Sequence, residues 1–175
     1  EFEMTNRKLL HMIDFERGVF CYDGREYEMT DTFFPTIDPK NPYQLTPDEQ
    51  ELVEKIHISF INSEKLKKHM RCLFTYGGMY LVCNNNLLYH ASIPMNADGS
   101  FKHVKIGEKE YWGEKLLAKS DQLIRTAYFG EEGEDKDYAL DFVWYMWCGA
   151  NSPLFDKDKM AAFESYFVND DELKK

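Results

Sequence analysis

Residues 136–148, KDYALDFVWYMWC, constrain the fold more than any other stretch, because wound as a helix they are apolar around nearly the whole circumference. Such a helix has too little polar face for an ordinary surface position. It is predicted to form the centre of the folded body or to expose an apolar patch where something larger packs. In the second case the chain is expected to self-associate. Material for a core is ample, with 43% hydrophobic and 15% aromatic residues, and that excludes intrinsic disorder as a description of the whole. The 175 residues amount to one domain's worth of chain. No apolar run reaches the roughly 18 residues of a membrane span, and no signal peptide opens the sequence. It begins at Glu1 rather than Met, and reads as a piece of something longer.

Punctuation along the chain marks the other elements. Residues 3–14 are predicted as a short helix, followed by a hairpin around Asp23-Gly24 of the type I′ kind. Four of the six prolines fall in residues 31–47, which are therefore extended, and their aromatic residues are expected to pack down. Thr46-Pro47-Asp48-Glu49 carries every part of a helix start: a cap, a proline at the first position and a capping-box glutamate. The helix that follows should bury Leu52, Val53, Ile56 and Phe60. Ser63 is expected to cap a second helix with Leu66, Met70, Leu73 and Phe74 inward, ended by Gly77-Gly78. MYLVC and LLYHASI flank Asn84-Asn85-Asn86 as two strands, a turn falls at Asp98-Gly99, and a small hairpin surrounds Gly107. Helices are predicted over 113–129, over 136–148 with Gly149 as its stop, and from Asp156 with Met160, Phe163 and Phe167 inward. The expected fold is α+β, with short strands and about five to six helices. Its parts are a hairpin and extended segment (1–45), helices and strands (46–112), a helical insertion (113–168) and a tail (169–175).

Thirty-one acidic against 21 basic residues give a net charge of −10, which argues against nucleic acid and anionic membranes as partners. A phosphorylated substrate would need cations to offset that charge. Cys21, Cys72, Cys83 and Cys148 include no C-x-x-C pair and read as thiols in a reducing compartment, the cytoplasm by default. Cys72 and Cys83 lie among apolar residues, where cysteine behaves as a small hydrophobe.

Among titratable groups His90 is the most interesting. It ends an apolar strand and opens into small residues and a proline (LLYHASIP), a place where a scaffold fixes a side chain and a loop leaves room. It is either a ligand or a satisfied, half-buried histidine. His69, Cys72, Cys83 and His90 share the residue types of a zinc site, but not its spacing. The basic residues Lys65, Lys67, Lys68 and Arg71 form either a phosphate clamp or a solvated helix face. Asp135, Asp137 and Asp141 do not share one helix face, and no nucleophile motif occurs.

Three stretches go further: SFINSEKLKKHMRCLFTYGGMYLVCNNNLLYHASIPMNADGSF, DFVWYMWCGANSPLFDKDKMAAFESYF and TFFPTIDPKNPYQLT. They resemble, collinearly over about residues 1–168, the class III, firmicute-type fructose-1,6-bisphosphatases. The resemblance implies a much longer calcineurin-like metallophosphoesterase, of which this chain is an internal segment carrying part of the domain and a family-specific insertion. It implies a binuclear, manganese-activated site that removes the 1-phosphate of fructose 1,6-bisphosphate in gluconeogenesis. The family's D-x-H, G-D-x-x-D-R, G-N-H-[DE] and G-H-[TV] motifs are absent from these residues. Only the isolated strand-end histidine matches, so the resemblance makes His90 a metal ligand and assigns no catalytic residue here. It leaves phosphate contact by Lys67, Lys68 and Arg71 open, and it assigns nothing to His11, His57, His69 or His103. The segment alone is expected to be inactive. The alternative is a non-catalytic regulatory or oligomerisation module of the same parent protein.

Overall fold

The structure, a computed structural model, describes residues 2, 4, 7–150, 152–155 and 168. They form two compact units, one of residues 7–67 with Val168 and one of residues 68–155 with Phe2 and Met4. Among the described residues there are four α-helices and three small antiparallel sheets, an α+β protein. The helix expected from Asp156 lies outside the described residues.

In the unit of residues 7–67, β1 (Ile13–Asp14), β2 (Val19–Tyr22) and β3 (Arg25–Glu28) make a three-stranded meander. The β2–β3 turn places Asp23 at φ 50° and Gly24 at φ 72°, the pair of left-handed residues that a type I′ turn requires. Of the stretch 3–14, whose loose periodicity predicts an α-helix, the described residues 7–14 make none. Leu9–Met12 is a 3-10 turn, and Ile13 pairs instead with Phe20 across the sheet. Pairing wins because it buries Leu9, Ile13 and Phe20 together, with Met29 and Val168 beside them. The proline-rich stretch is irregular, as expected, but only part of it packs down. Phe34 meets Phe15 edge-on at 5.7 Å, whereas Phe33 is 78% exposed.

Helix α1 (Pro47–Ile61) starts as its sequence dictates. Glu49 N–H donates to Thr46 Oγ1 (3.3 Å), and Thr46 N–H donates back to Glu49 Oε2 (2.8 Å). The bond donated by Thr46 N–H, with others donated by the Thr36 and Thr46 hydroxyls, holds the Glu49 carboxyl below its ordinary pKa. Thr46→Ala is expected to cost about 1 kcal/mol of α1 stability, read as a loss of helical ellipticity at lower urea. A depressed carboxyl contributes stability present above its unfolded pKa and lost as pH falls through its folded one, so the difference between wild type and variant should shrink in acid. The face carrying Leu52, Val53, Ile56 and Phe60 is not buried as expected, and each of these residues is exposed. Periodicity shows which face seeks cover, not whether cover lies among these residues.

Helix α2 (Glu64–Tyr76) begins at Ser63, whose Oγ accepts from Leu66 N–H at 3.2 Å. Leu66, Met70 and Phe74 are half-buried, but Leu73 is exposed. In the unit of residues 68–155, strands β4 (Tyr80–Cys83) and β5 (Asn86–Tyr89) form a hairpin through Asn84 and Asn85, both in the left-handed region. A second hairpin joins β6 (Val104–Ile106) to β7 (Lys109–Tyr111). Its turn is pinned by Tyr138 Oη, which accepts from Gly107 N–H at 2.8 Å.

Helices α3 (Gly113–Phe129) and α4 (Glu134–Cys148) supply the core of this unit. Leu116, Leu117 and Leu123 of α3 meet Ala139, Phe142 and Met146 of α4. Phe142 is fully buried and Phe2 packs edge-on to it at 5.6 Å. Helix α4 is buried along Ala139, Phe142 and Met146, and it leaves an apolar patch exposed on the adjoining face. Leu140, Trp144 and Trp147 are exposed, Trp147 at 74%. Gly149 ends α4 as predicted, in a position where any β-carbon would collide with the Tyr145 ring.

Candidate functional site

His90 immediately follows β5, and the chain beyond it turns inward through half-buried Ala91, Ser92 and Ile93 to buried Pro94. Ser92 N–H donates to the Pro153 carbonyl at 3.3 Å, which anchors this loop a few residues past the histidine. The His90 side chain is itself exposed and stands at the wall of a cavity of about 250 Å³. Leu73, Phe74, Met79, Ile124 and Leu154 supply its apolar lining, and Asp121 and Arg125 its charged one. The recess is small and mainly apolar, with one imidazole and one ion pair in its wall.

Arg125 is not free to take an anion there. Its Nε donates to Asp121 Oδ2 at 2.7 Å, Nη2 donates to the Gly77 carbonyl at 2.6 Å, and Nη1 donates to the Phe74 carbonyl. The guanidinium therefore caps the last turn of α2, satisfying carbonyls that a helix end leaves without partners. The sequence carries a signal for the Asp121–Arg125 pair, an acid and a base four residues apart on a predicted helix. Tyr80, at the start of β4, donates its phenol to Glu114 Oε1 at 2.8 Å, and that bond, with some burial, raises the phenol pKa.

The other predicted residues are placed differently. Lys67, Lys68 and Arg71 are exposed on α2, with Lys67 Nζ 3.1 Å from Glu64. Neither Lys68 nor Arg71 lines the cavity that His90 lines. Cys72 and Cys83 are exposed rather than packed as small hydrophobes, and no disulfide joins the four cysteines. Among the described residues, no three His, Cys, Asp or Glu side chains gather to hold a metal ion. His69, Cys72, Cys83 and His90 therefore do not form a zinc site. By the same test His90 has no set of partner ligands here, so these residues do not by themselves make a binuclear centre. His103 stacks on Trp112 at 4.4 Å, with its Nδ1 3.0 Å from Glu110, and His11 stands edge-on to Tyr43. No described helix is long and apolar enough to cross a membrane.

Comparison with known proteins adds what the geometry leaves open. The family model described as firmicute fructose-1,6-bisphosphatase matches residues 1–175. A Bacteroides thetaiotaomicron protein named fructose-1,6-bisphosphatase class 3 is 73% identical over 176 residues, covering 100% of this chain and 26% of its own length. Like-named proteins from Phocaeicola vulgatus and Clostridium tetani are 58% and 49% identical, each again covering 100% of this chain and 27% of their own length. The chain thus spans about a quarter of the curated relatives it matches. No solved structure matches it.

Proposed function

Because the chain belongs to the firmicute fructose-1,6-bisphosphatase family, we propose that it forms part of an enzyme that hydrolyses the 1-phosphate of fructose 1,6-bisphosphate. The products are fructose 6-phosphate and phosphate, and the setting is gluconeogenesis in the cytoplasm. The observation that carries this reading is the 73% identity, along the whole chain, to a protein of that name.

In this reading His90 contributes one imidazole to a manganese pair whose remaining ligands come from residues outside these 175. Manganese-type ions prefer several oxygen ligands, which the described residues around His90 do not gather. When bound, such a pair supplies Lewis acidity and an activated water. The chain's own part is positional. β5 and the Ser92–Pro153 hydrogen bond fix the backbone on either side of His90, at the wall of the cavity. Lys67, Lys68 and Arg71 are proposed phosphate contacts, and cations offset the net charge of −10 that would otherwise repel a bisphosphate.

The test is product analysis with manganese. The full-length enzyme should convert fructose 1,6-bisphosphate to fructose 6-phosphate, and the 175-residue chain alone should release no phosphate. Release of fructose 1-phosphate, or no turnover by the full-length protein, would defeat the reading. A regulatory or oligomerisation role is favoured by one observation, the exposed face of Leu140, Trp144 and Trp147. It would appear as self-association in sedimentation that a Trp147→Glu substitution abolishes.

A further inference from the structure

We propose that Arg125 is a positioning residue for His90, because it holds the root of the hairpin that ends at the histidine. The inference rests on the reading that His90 is a manganese ligand. It adds which side chain of α3 sets the place of that imidazole.

Helix α3 turns one stripe of polar side chains towards the root of the β4–β5 hairpin. Glu114, Asp121 and Arg125 follow one another at seven and four residues, about two turns and about one turn, so they share a face. Glu114 Oε1 accepts from the Tyr80 hydroxyl at 2.8 Å. Asp121 Oδ2 accepts from Arg125 Nε at 2.7 Å and so orients the guanidinium, whose other nitrogens donate to the carbonyls of Gly77 and Phe74. Met79, between these two anchors, is buried in the same core cluster as Leu116, Leu117 and Leu123 of α3.

The path from this grip to His90 is short. Gly77 leaves no room for a side chain, since a β-carbon there would lie 2.5 Å from the Leu73 carbonyl oxygen. Only Gly78 and Met79 separate it from Tyr80, which pairs with Tyr89 across the hairpin, and His90 is the next residue. Arg125 and His90 also line the same cavity. A guanidinium serves three acceptors at once from one plane. An ammonium in its place keeps the charge opposite Asp121 but has no fork. Without the fork the Gly77-Gly78 link regains the backbone freedom that glycine allows, and the hairpin above it is free to shift. A metal ligand must be held to within about 0.5 Å, so a small shift is enough to weaken binding.

The test reads manganese at the histidine itself. Metal-free full-length enzyme is titrated with manganese, and carbethoxylation of His90 by diethyl pyrocarbonate is timed by mass spectrometry of its peptide. Manganese should protect His90 in the wild type, with His57 and His103 as internal references. Arg125→Lys should raise the manganese concentration for half-protection about 10-fold or more, as loss of a group that orients a metal ligand does. Arg125→Gln serves the same comparison where the lysine variant does not fold. Phe142→Leu loosens the contact between α3 and α4 but keeps the fork, and its half-protection should stay at the wild-type concentration. Half-protection of the Arg125 variant at the wild-type concentration would overturn the inference. So would an equal shift in Phe142→Leu, which would reduce Arg125 to a contributor to general stability. Wild-type protection without a shift in the variant defeats this inference alone. A wild-type His90 that manganese does not protect removes its proposed role as a ligand, and this inference with it.

Discussion

His90→Ala in the full-length enzyme is expected to lower both bound manganese and turnover by at least about 100-fold. Loss of a partner that merely orients a metal ligand costs 10–100-fold, and loss of the ligand itself should cost no less. Circular dichroism and the unfolding temperature should change little, because His90 belongs to neither hydrophobic core cluster. His57→Ala and His103→Ala are the comparators. His57 is exposed on α1, and His103 stacks on Trp112 at the surface, so both variants should stay within a few-fold of wild type. Metal content and turnover of the three purified variants decide the matter. A His90 variant that keeps its metal and its rate would remove the histidine from the site.

The largest expected effect on stability is at Phe142. Its ring is fully buried between α3 and α4 and touches Phe2 and Tyr145. Phe142→Ala should cost about 3–5 kcal/mol, the lost transfer energy plus a cavity that packed helices close only in part. Phe142→Leu should cost about 1–1.5 kcal/mol, since most of the volume is kept. The readout is the urea midpoint of the first unfolding transition of the full-length protein, with its slope unchanged. Equal effects of the two substitutions would mean that the site collapses around the missing ring.

Local rules were legible where their causes lie within a few residues. The capping box at Thr46 and Glu49, the type I′ turn at Asp23-Gly24 and the Gly149 stop follow from chemistry confined to one turn of chain. Residues 3–14 misled because a loose helical period competes there with a strand partner several residues away, Phe20. The exposed apolar face of α1 and the exposed Cys72 and Cys83 share another cause. Hydropathy records what a residue would gain from burial, not whether these 175 residues supply the burial. The strand-end position of His90 is legible in LLYHASIP, whereas the recess beside it is built by residues distant in sequence, such as Asp121, Arg125 and Leu154. The role of Arg125 is not legible in the sequence, because its partners, the carbonyls of Phe74 and Gly77, carry no side-chain signature.

That arginine also bears on how the molecule comes together. The end of α2 lies about fifty residues before the group that caps it, on the far side of two hairpins. Its last turn therefore lacks its side-chain cap while α3 is unformed, and it should become fully ordered late. In the native protein the two segments should open as a single cooperative unit, so amide exchange at Tyr76 and Gly77 should keep pace with exchange in the middle of α3. Faster exchange at those two amides than in α3 would mean that the guanidinium grips an end that frays regardless.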